Sequence, residues 1–251
     1  MNPEAMRPFG LSLLDYFRGN KSAVMSIIRD DGLITPQPAS GFFRDPRQFK
    51  IESIALDLTR GRVLDVGAGT GIHSKYLQDN GITVCSIDVL PEAAHIMRER
   101  GVVDVRQADV MSFKGEKFDT IIMMGHGIGV VENVPGLDRF LSSVNSLLTP
   151  GGQILLTSVD VRYSTEPRDL AYQQQNTEGG HYFGEIRMQF KYGDFTGPLC
   201  GWLHIDAQTL TEHAGQFGWY CQVMCQQEDG NYLAKLSFTS FDLQPDTAHN
   251  S

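Results

Sequence analysis

Asp65, Gly67, Gly69 and Gly71 lie in the run Val63-Leu64-Asp65-Val66-Gly67-Ala68-Gly69-Thr70-Gly71, a spacing able to lay a ligand on bare peptide. The apolar residues predict a strand and the glycines a tight turn. The pattern that follows predicts a helix whose open N-terminus favours an anionic group. Dinucleotide sites use a related turn, G-x-G-x-x-G, with a ribose-binding acid further on. Here the third glycine arrives one residue early, at Gly71, and Ile72 stands where that pattern needs glycine. An acid also sits two residues before the first glycine. A second chemical candidate is His126, in Met123-Met124-Gly125-His126-Gly127-Ile128-Gly129. Imidazole titrates near neutral pH and can take a proton from a hydroxyl or an amine. A local hydrogen bond, or a place in a pocket wall, accounts for His126 equally well.

Alternating strands and helices must position these residues. From residue 62 the pattern predicts strands at Arg62–Val66, Thr83–Ile87, about Val102–Arg106, Phe118–Met123 and Gln153–Val159. Helices are expected from Ile72 to Gln78, from Pro91 to Arg100, and through Leu137, Phe140, Leu141, Val144 and Leu148. Such alternation argues for a parallel sheet covered on both faces. Ile186, Met188, Phe190 and Tyr192 alternate with polar residues, and Leu199–Ile205 follows a glycine-containing turn, which predicts an antiparallel hairpin. Asp206 caps a helix through about Gln216, and Tyr220–Gln226 with Tyr232–Phe238 form a last antiparallel pair. The first 60 residues read as helical, with Leu11–Phe17 and Ala23–Ile28 as short candidates and a breaker-rich segment at residues 35–41.

The 251 residues can bury one substantial core, and 41% hydrophobic with 20% charged residues describes an ordinary globular protein. No apolar run approaches the ~18 residues of a membrane span. The N-terminus lacks the layout of a secretory signal, so a cytoplasmic location is expected. Four cysteines without C-x-x-C spacing point to neither a zinc site nor a disulfide framework; Cys85, Cys221 and Cys225 read as core, and no metal is expected. A net charge of −9 and the lack of a basic run disfavour nucleic acid as a partner.

The D-x-G-x-G-x-G form resembles motif I of the class I S-adenosylmethionine-dependent methyltransferases. The five alternating units and terminal hairpin resemble their sheet, over about residues 60–160 and 206–240. The resemblance implies a seven-stranded, mostly parallel Rossmann-like α/β sheet with an antiparallel terminal strand. Around it come a helical N-terminal extension (1–60), a methyltransferase domain (61–240) carrying a hairpin inserted at about 182–205 after the fifth strand, and a tail (241–251). Gly67, Ala68, Gly69 and Gly71 would carry the methionine half of S-adenosylmethionine, and Asp65 would reach its amino group. Asp88, 17 residues after Gly71, would accept from the ribose hydroxyls, with Val89 beside it. Asp109 and Val110 would meet the adenine. Met124, Gly125 and His126 would lie beside the transferable methyl. This chain lacks the Asn-Pro-Pro-Tyr motif of amine-methylating families and the Pro-Cys of cytosine methylation. Tyr163, His181, Tyr182, Trp202 and His204 are candidates for the acceptor side, and Phe42, Phe43, Arg44 and Tyr16 for a lid. The expected reaction is direct methyl transfer to oxygen or nitrogen of a small molecule. A silent cofactor-binding relative and an NAD-dependent oxidoreductase are the rival readings.

Overall fold

The computed structural model describes residues 2–238. Helix α1 (Pro3–Phe17) starts where the Asn2 side chain accepts from the Glu4 N–H, with proline at its first turn. A hairpin of β1 (Val24–Arg29) and β2 (Ile34–Pro38) follows, then α2 (Lys50–Leu58). The alternating region runs β3 (Val63–Val66), α3 (Ile72–Asp79), β4 (Val84–Asp88), α4 (Pro91–Glu99), β5 (Asp104–Gln107), β6 (Phe118–Met123), α5 (Val134–Val144) and β7 (Leu148–Val159). Helix α6 (Pro167–Glu178) leads to β8 (Glu185–Tyr192), the two-residue β9 (Phe195–Thr196) and β10 (Cys200–Leu203). The described chain ends with α7 (Ala207–Gln216), β11 (Trp219–Gln226) and β12 (Asn231–Phe238).

The main sheet has the order β11-β12-β7-β6-β3-β4-β5, and β12 lies antiparallel between β11 and β7. Its central strands are parallel and apolar on both faces, so neighbouring residues serve opposite layers. Ile121 and Ile154 pack with Leu137, Phe140 and Leu210 under α5 and α7. Ile122 and Leu155 pack with Ile51, Ala55 and Leu77 under α2 and α3. Each of these Ile, Leu and Phe side chains, fully buried, contributes about 1.5–3 kcal/mol. This is the seven-stranded, mostly parallel α/β sheet that the resemblance implies.

The N-terminal extension is not wholly helical. Residues 24–28, expected as a helix, form β1, which pairs with β2 and, across the chain, with β8, Ser26 lying opposite Lys191. Val24, Ile27 and Ile28 are β-branched, and Asp31-Gly32 supplies the turn, with Gly32 at φ +82°. What decides the conformation is burial of Met25, Met188 and Phe190 against Ala5 of α1 and Leu90 and Ala93 beside α4. The inserted hairpin is therefore half of a second antiparallel sheet, order β10-β8-β1-β2 with β9 on β8. Helix α6 carries too few apolar residues to show in the sequence pattern; it buries Tyr172 and Asn176 alone. Tyr172 donates to Asp30 at 2.7 Å, and Asn176 donates to the Glu185 carbonyl at 2.7 Å. Among the described residues no helix is long and apolar enough to cross a membrane.

Asp206 caps α7 as expected, accepting from the Gln208 and Thr209 N–H groups at 3.0 and 3.1 Å. Tyr182 donates to the same carboxylate at 2.6 Å and accepts from the Asp206 N–H at 2.9 Å. Asp206→Ala removes the cap and strands the tyrosine hydroxyl, so the urea midpoint should fall by the equivalent of about 1–2 kcal/mol.

Candidate active site

A cavity of about 1150 Å³ lies beyond the carboxyl ends of β3, β4, β6 and β7 and beneath the second sheet, where ligands bind in open α/β sheets. The turn between β3 and α3 forms its floor. Gly67 takes φ +65°, and a Cβ built there meets nothing within 4 Å, because that side of the peptide looks into the cavity. Gly71 differs. At φ +74° its Cβ would come 2.8 Å from Met97 Cγ and 3.2 Å from Val102, so Gly71 lets α3 pack and lies behind the cavity wall. Expected as a cofactor contact, it packs against Met97 and Val102 and does not line the cavity.

The turn is pinned from several sides. Gly67 and Ala68 donate to the Ile87 carbonyl at 2.9 and 3.1 Å, and the Gly69 N–H donates to Asp88 Oδ2 at 2.9 Å. Asp88 Oδ1 accepts from Leu90 N–H at 2.9 Å. Burial pushes the Asp88 carboxyl up to about 6, against the pull of the Leu90 and Gly69 N–H groups and with a smaller push from Asp65. Asp65 is 1% exposed and accepts from Ser74 at 2.6 Å, Ser74 in turn accepting from Ser86 at 2.7 Å. Burial raises Asp65 too, opposed by the charge of His73 and the Ser74 hydroxyl. Asp109, Val110, Val89, Met124 and Gly125 all line the cavity; the Asp109 side chain accepts from the Met111 N–H at 2.9 Å.

His126 closes the far side of this floor. Its backbone is left-handed at φ +61°, uncommon for a side chain of this size. The N–H donates to Thr157 Oγ1 at 2.9 Å, and Nε2 lies 2.6 Å from Asn231 Oδ1. His204 stands edge-on, ring centroids 5.6 Å apart. Burial, with the charge of His126, pushes the His204 imidazole down to about 3, so it stays neutral and weakly basic.

The second sheet roofs the cavity with Met25, Ile27, Ile186, Met188, Phe190 and Trp202. Trp202 lies so close to Gly129 that a Cβ there would be 2.1 Å from the indole; this glycine makes room for the aromatic ring. Tyr163 lines the mouth and is half exposed. Tyr182 and His181 do not join the cavity. Tyr182 is committed to Asp206, and His181 lies 3.4 Å from Glu185 at a smaller, separate depression. Of the expected lid, Phe42 and Arg44 line the cavity, while Phe43 pairs with Tyr16 away from it at 4.8 Å.

Several residues here gave no usable sign in the sequence. Glu52 on α2 accepts from both Arg44 amines and lies 3.1 Å from His73 Nε2. Burial alone would raise this carboxyl, yet His73 and Arg44 hold it below the usual carboxylate range. Thr70 donates to the Phe42 carbonyl, and Arg100 donates to Thr70 O at 3.0 Å, clamping the N-terminal segment onto the turn. At the other end Arg29 is held by Asp31 and Asp169 and stacks 4.2 Å over Tyr172. Thr157 and Asn231 belong to strands, where a sequence pattern assigns them only to pairing.

A sheet of this order, with an open glycine turn after its first parallel strand and carboxyls at the next strand ends, defines a class I S-adenosylmethionine-dependent methyltransferase. The cradle fits that cofactor: peptide with no side chain in the way, and acceptor oxygens set around it. Residues 42–221 match the family described as Methyltransferase domain, and the chain belongs to it. A solved S-adenosylmethionine-dependent methyltransferase from Bacteroides fragilis, in complex with S-adenosyl-L-homocysteine, is 31% identical, with a TM-score of 0.83 over 96% of this chain and 98% of that one. The ubiquinone biosynthesis O-methyltransferase of Xanthomonas euvesicatoria is 29% identical over 205 residues, 76% of this chain and 81% of the relative. That of Xylella fastidiosa M23 is 30% identical over 183 residues, 68% and 70%. This protein is a small-molecule methyltransferase that uses S-adenosylmethionine.

The two glycines should separate experimentally. Gly71→Ala should lower stability by about 1–3 kcal/mol, because strain and a clash with Met97 add. Gly67→Ala should cost about 1 kcal/mol of strain while weakening S-adenosylmethionine binding in calorimetric titration. Equal affinity losses, scaled only by stability, would remove the distinction.

Proposed function

We propose that this enzyme methylates a hydroxyl of a small, flat and largely apolar acceptor, with His126 as general base. The observation that carries this is the placing of His126 where the turn-bearing floor meets the apolar roof of Met25, Ile27, Met188, Phe190 and Trp202. A hydroxyl must shed its proton as the methyl arrives, so a base at this junction has a use. His204, held near 3, is a poor base at neutral pH, roughly 10³-fold weaker than an ordinary imidazole. The names of the relatives, O-methyltransferases, agree with an oxygen acceptor. A cavity of about 1150 Å³ lies just above the ~300–1,000 Å³ usual for small-molecule sites, which favours a small acceptor beside the cofactor. Its arginines Arg29 and Arg44 are tied to carboxylates, which supports a small acceptor over a phosphate backbone.

When bound, S-adenosylmethionine supplies a methyl already activated by its positive sulfur. Gly67, Ala68 and Gly69 would support its methionine half, Asp65 its amino group, Asp88 its ribose, and Asp109 with Val110 its adenine. Val89, Met124 and Gly125 complete that wall. The roof excludes water and aligns the acceptor, the main requirement for direct displacement. In this reading residues 1–60 and the insertion at 182–205 form one acceptor-side unit on the cofactor domain.

Asp88 sets a pH dependence. Ribose hydroxyls donate to the carboxylate and not to the protonated acid. Affinity for S-adenosylmethionine should therefore fall as pH drops below about 6, approaching tenfold per unit. Asp88→Asn should bind weakly at every pH; a pH-independent wild-type affinity between pH 5 and 7 would contradict the ribose assignment.

The acceptor reading is tested with methyl-labelled cofactor and matched sets of hydroxylated aromatics and anilines. Transfer to the hydroxyl series is expected, with His126→Ala lowering kcat by about 10²–10⁴ and leaving cofactor affinity in place. Methylation confined to the anilines, or an undiminished kcat in the variant, would overturn it.

A further inference from the structure

His126 is held from a distant segment of the chain. Asn231, at the start of β12, places Oδ1 2.6 Å from His126 Nε2, across 105 residues of sequence. Asn231 is itself held: its N–H donates to Asp229 Oδ1 at 3.0 Å. The amide turns its oxygen toward His126, and an amide oxygen accepts only. That orientation requires a hydrogen on Nε2 and leaves Nδ1 as the basic nitrogen. We propose that Asn231 and Asp229 are positioning residues for His126: the Asp229 carboxylate anchors Asn231 through its N–H, and the Asn231 amide sets the imidazole tautomer and ring angle for proton removal at Nδ1. This rests on the reading of His126 as base.

The surroundings agree. Thr157 on β7 holds the His126 backbone, and the left-handed conformation at φ +61° is fixed by that bond and the adjoining turn. His204, after β10, and Asp229, in the turn between β11 and β12, are the titratable groups that interact with the ring from these neighbouring elements. The Asn231 N–H, then its side chain, hold the Asp229 carboxyl below its ordinary value, so it is ionised wherever a neutral imidazole is present. The pairing of β12 with β7, Asn231 opposite Val159, delivers Asn231 to this place. A neutral amide holds the ring without stabilising the imidazolium as a direct carboxylate would.

The test uses the full chain with Asn231→Leu and Asn231→Asp, read by kcat against pH and by the imidazole ¹⁵N shifts of His126. Asn231→Leu should lower kcat about tenfold or more, since part of a general-base contribution of ~10²–10⁴ depends on orientation. KM for S-adenosylmethionine should hold, and the ¹⁵N shifts should move from a single tautomer to a mixture. Asn231→Asp puts a carboxylate against the ring, favours the imidazolium, and should move the acidic limb of the kcat profile upward by about one unit. His126→Ala run alongside separates the two claims. Full turnover in His126→Ala removes the base itself. A slow His126→Ala, with both Asn231 variants keeping wild-type rate, pH limb and tautomer, overturns the positioning role alone.

Discussion

A backbone N–H of Gly69 donating to the buried carboxylate of Asp88 ties the glycine turn to the neighbouring strand end, and the rest of the site is built on that tie. Without it the turn, which has few side chains, would have little to define its course. With it, and with Gly67 and Ala68 on the Ile87 carbonyl, the peptide is held in one arrangement over the ends of β3 and β4. Taking a carboxylate out of water is costly, and hydrogen bonds from Gly69 and Leu90 offset only part of the cost, which is why burial still raises Asp88 to about 6. The remaining lone pairs of Asp88 are the capacity on which a ligand can draw. The same bond thus orders the backbone and fixes a buried carboxylate at the cavity wall.

Over this floor the protein builds a roof from parts far apart in the chain. Strand β1 pairs with β8, and the sheet they share turns Met25, Met188 and Phe190 inward. Arg29 at the end of β1 is locked to Asp169 of α6, and Arg44 beside the turn is locked to Glu52 of α2. Both cations are therefore spent on structure, and the roof between them is apolar. An apolar roof over a polar floor lowers the local dielectric where charge is redistributed, strengthening each fixed dipole around it.

Two histidines meet edge-on at the cavity wall, and their surroundings make them unlike. His204 is hemmed in by protein and by the second imidazole, so it stays neutral over the physiological range. His126 has an amide on one nitrogen and a hydroxyl oxygen on its backbone N–H. Environment, and not residue type, sets the two imidazoles apart here. Tyr182 shows the same rule from the other side: its hydroxyl is consumed in capping α7, and the ring never reaches the chamber.

Much of the fold could be read along the chain because the signals are local. The glycine turn, the alternation from β3 to β7, the Asp206 cap and the final hairpin all stand within a few residues of their predicted bounds. Asp65, Asp88 and Asp109 were legible as cavity residues because parallel strands present their carboxyl ends on one side. Near-neighbour chemistry, acting through spacing, capping and periodicity, settled the cofactor domain. It did not settle residues 24–28, whose apolar run suits a helix as well as a strand until β8 arrives to pair with it. Nor did it settle Gly71, whose purpose lies in Met97 and Val102, or Asn231, whose partner is 105 residues away. Those outcomes belong to packing and to pairing between distant segments, because a contact's value exists only once both surfaces have been brought together and the water between them removed.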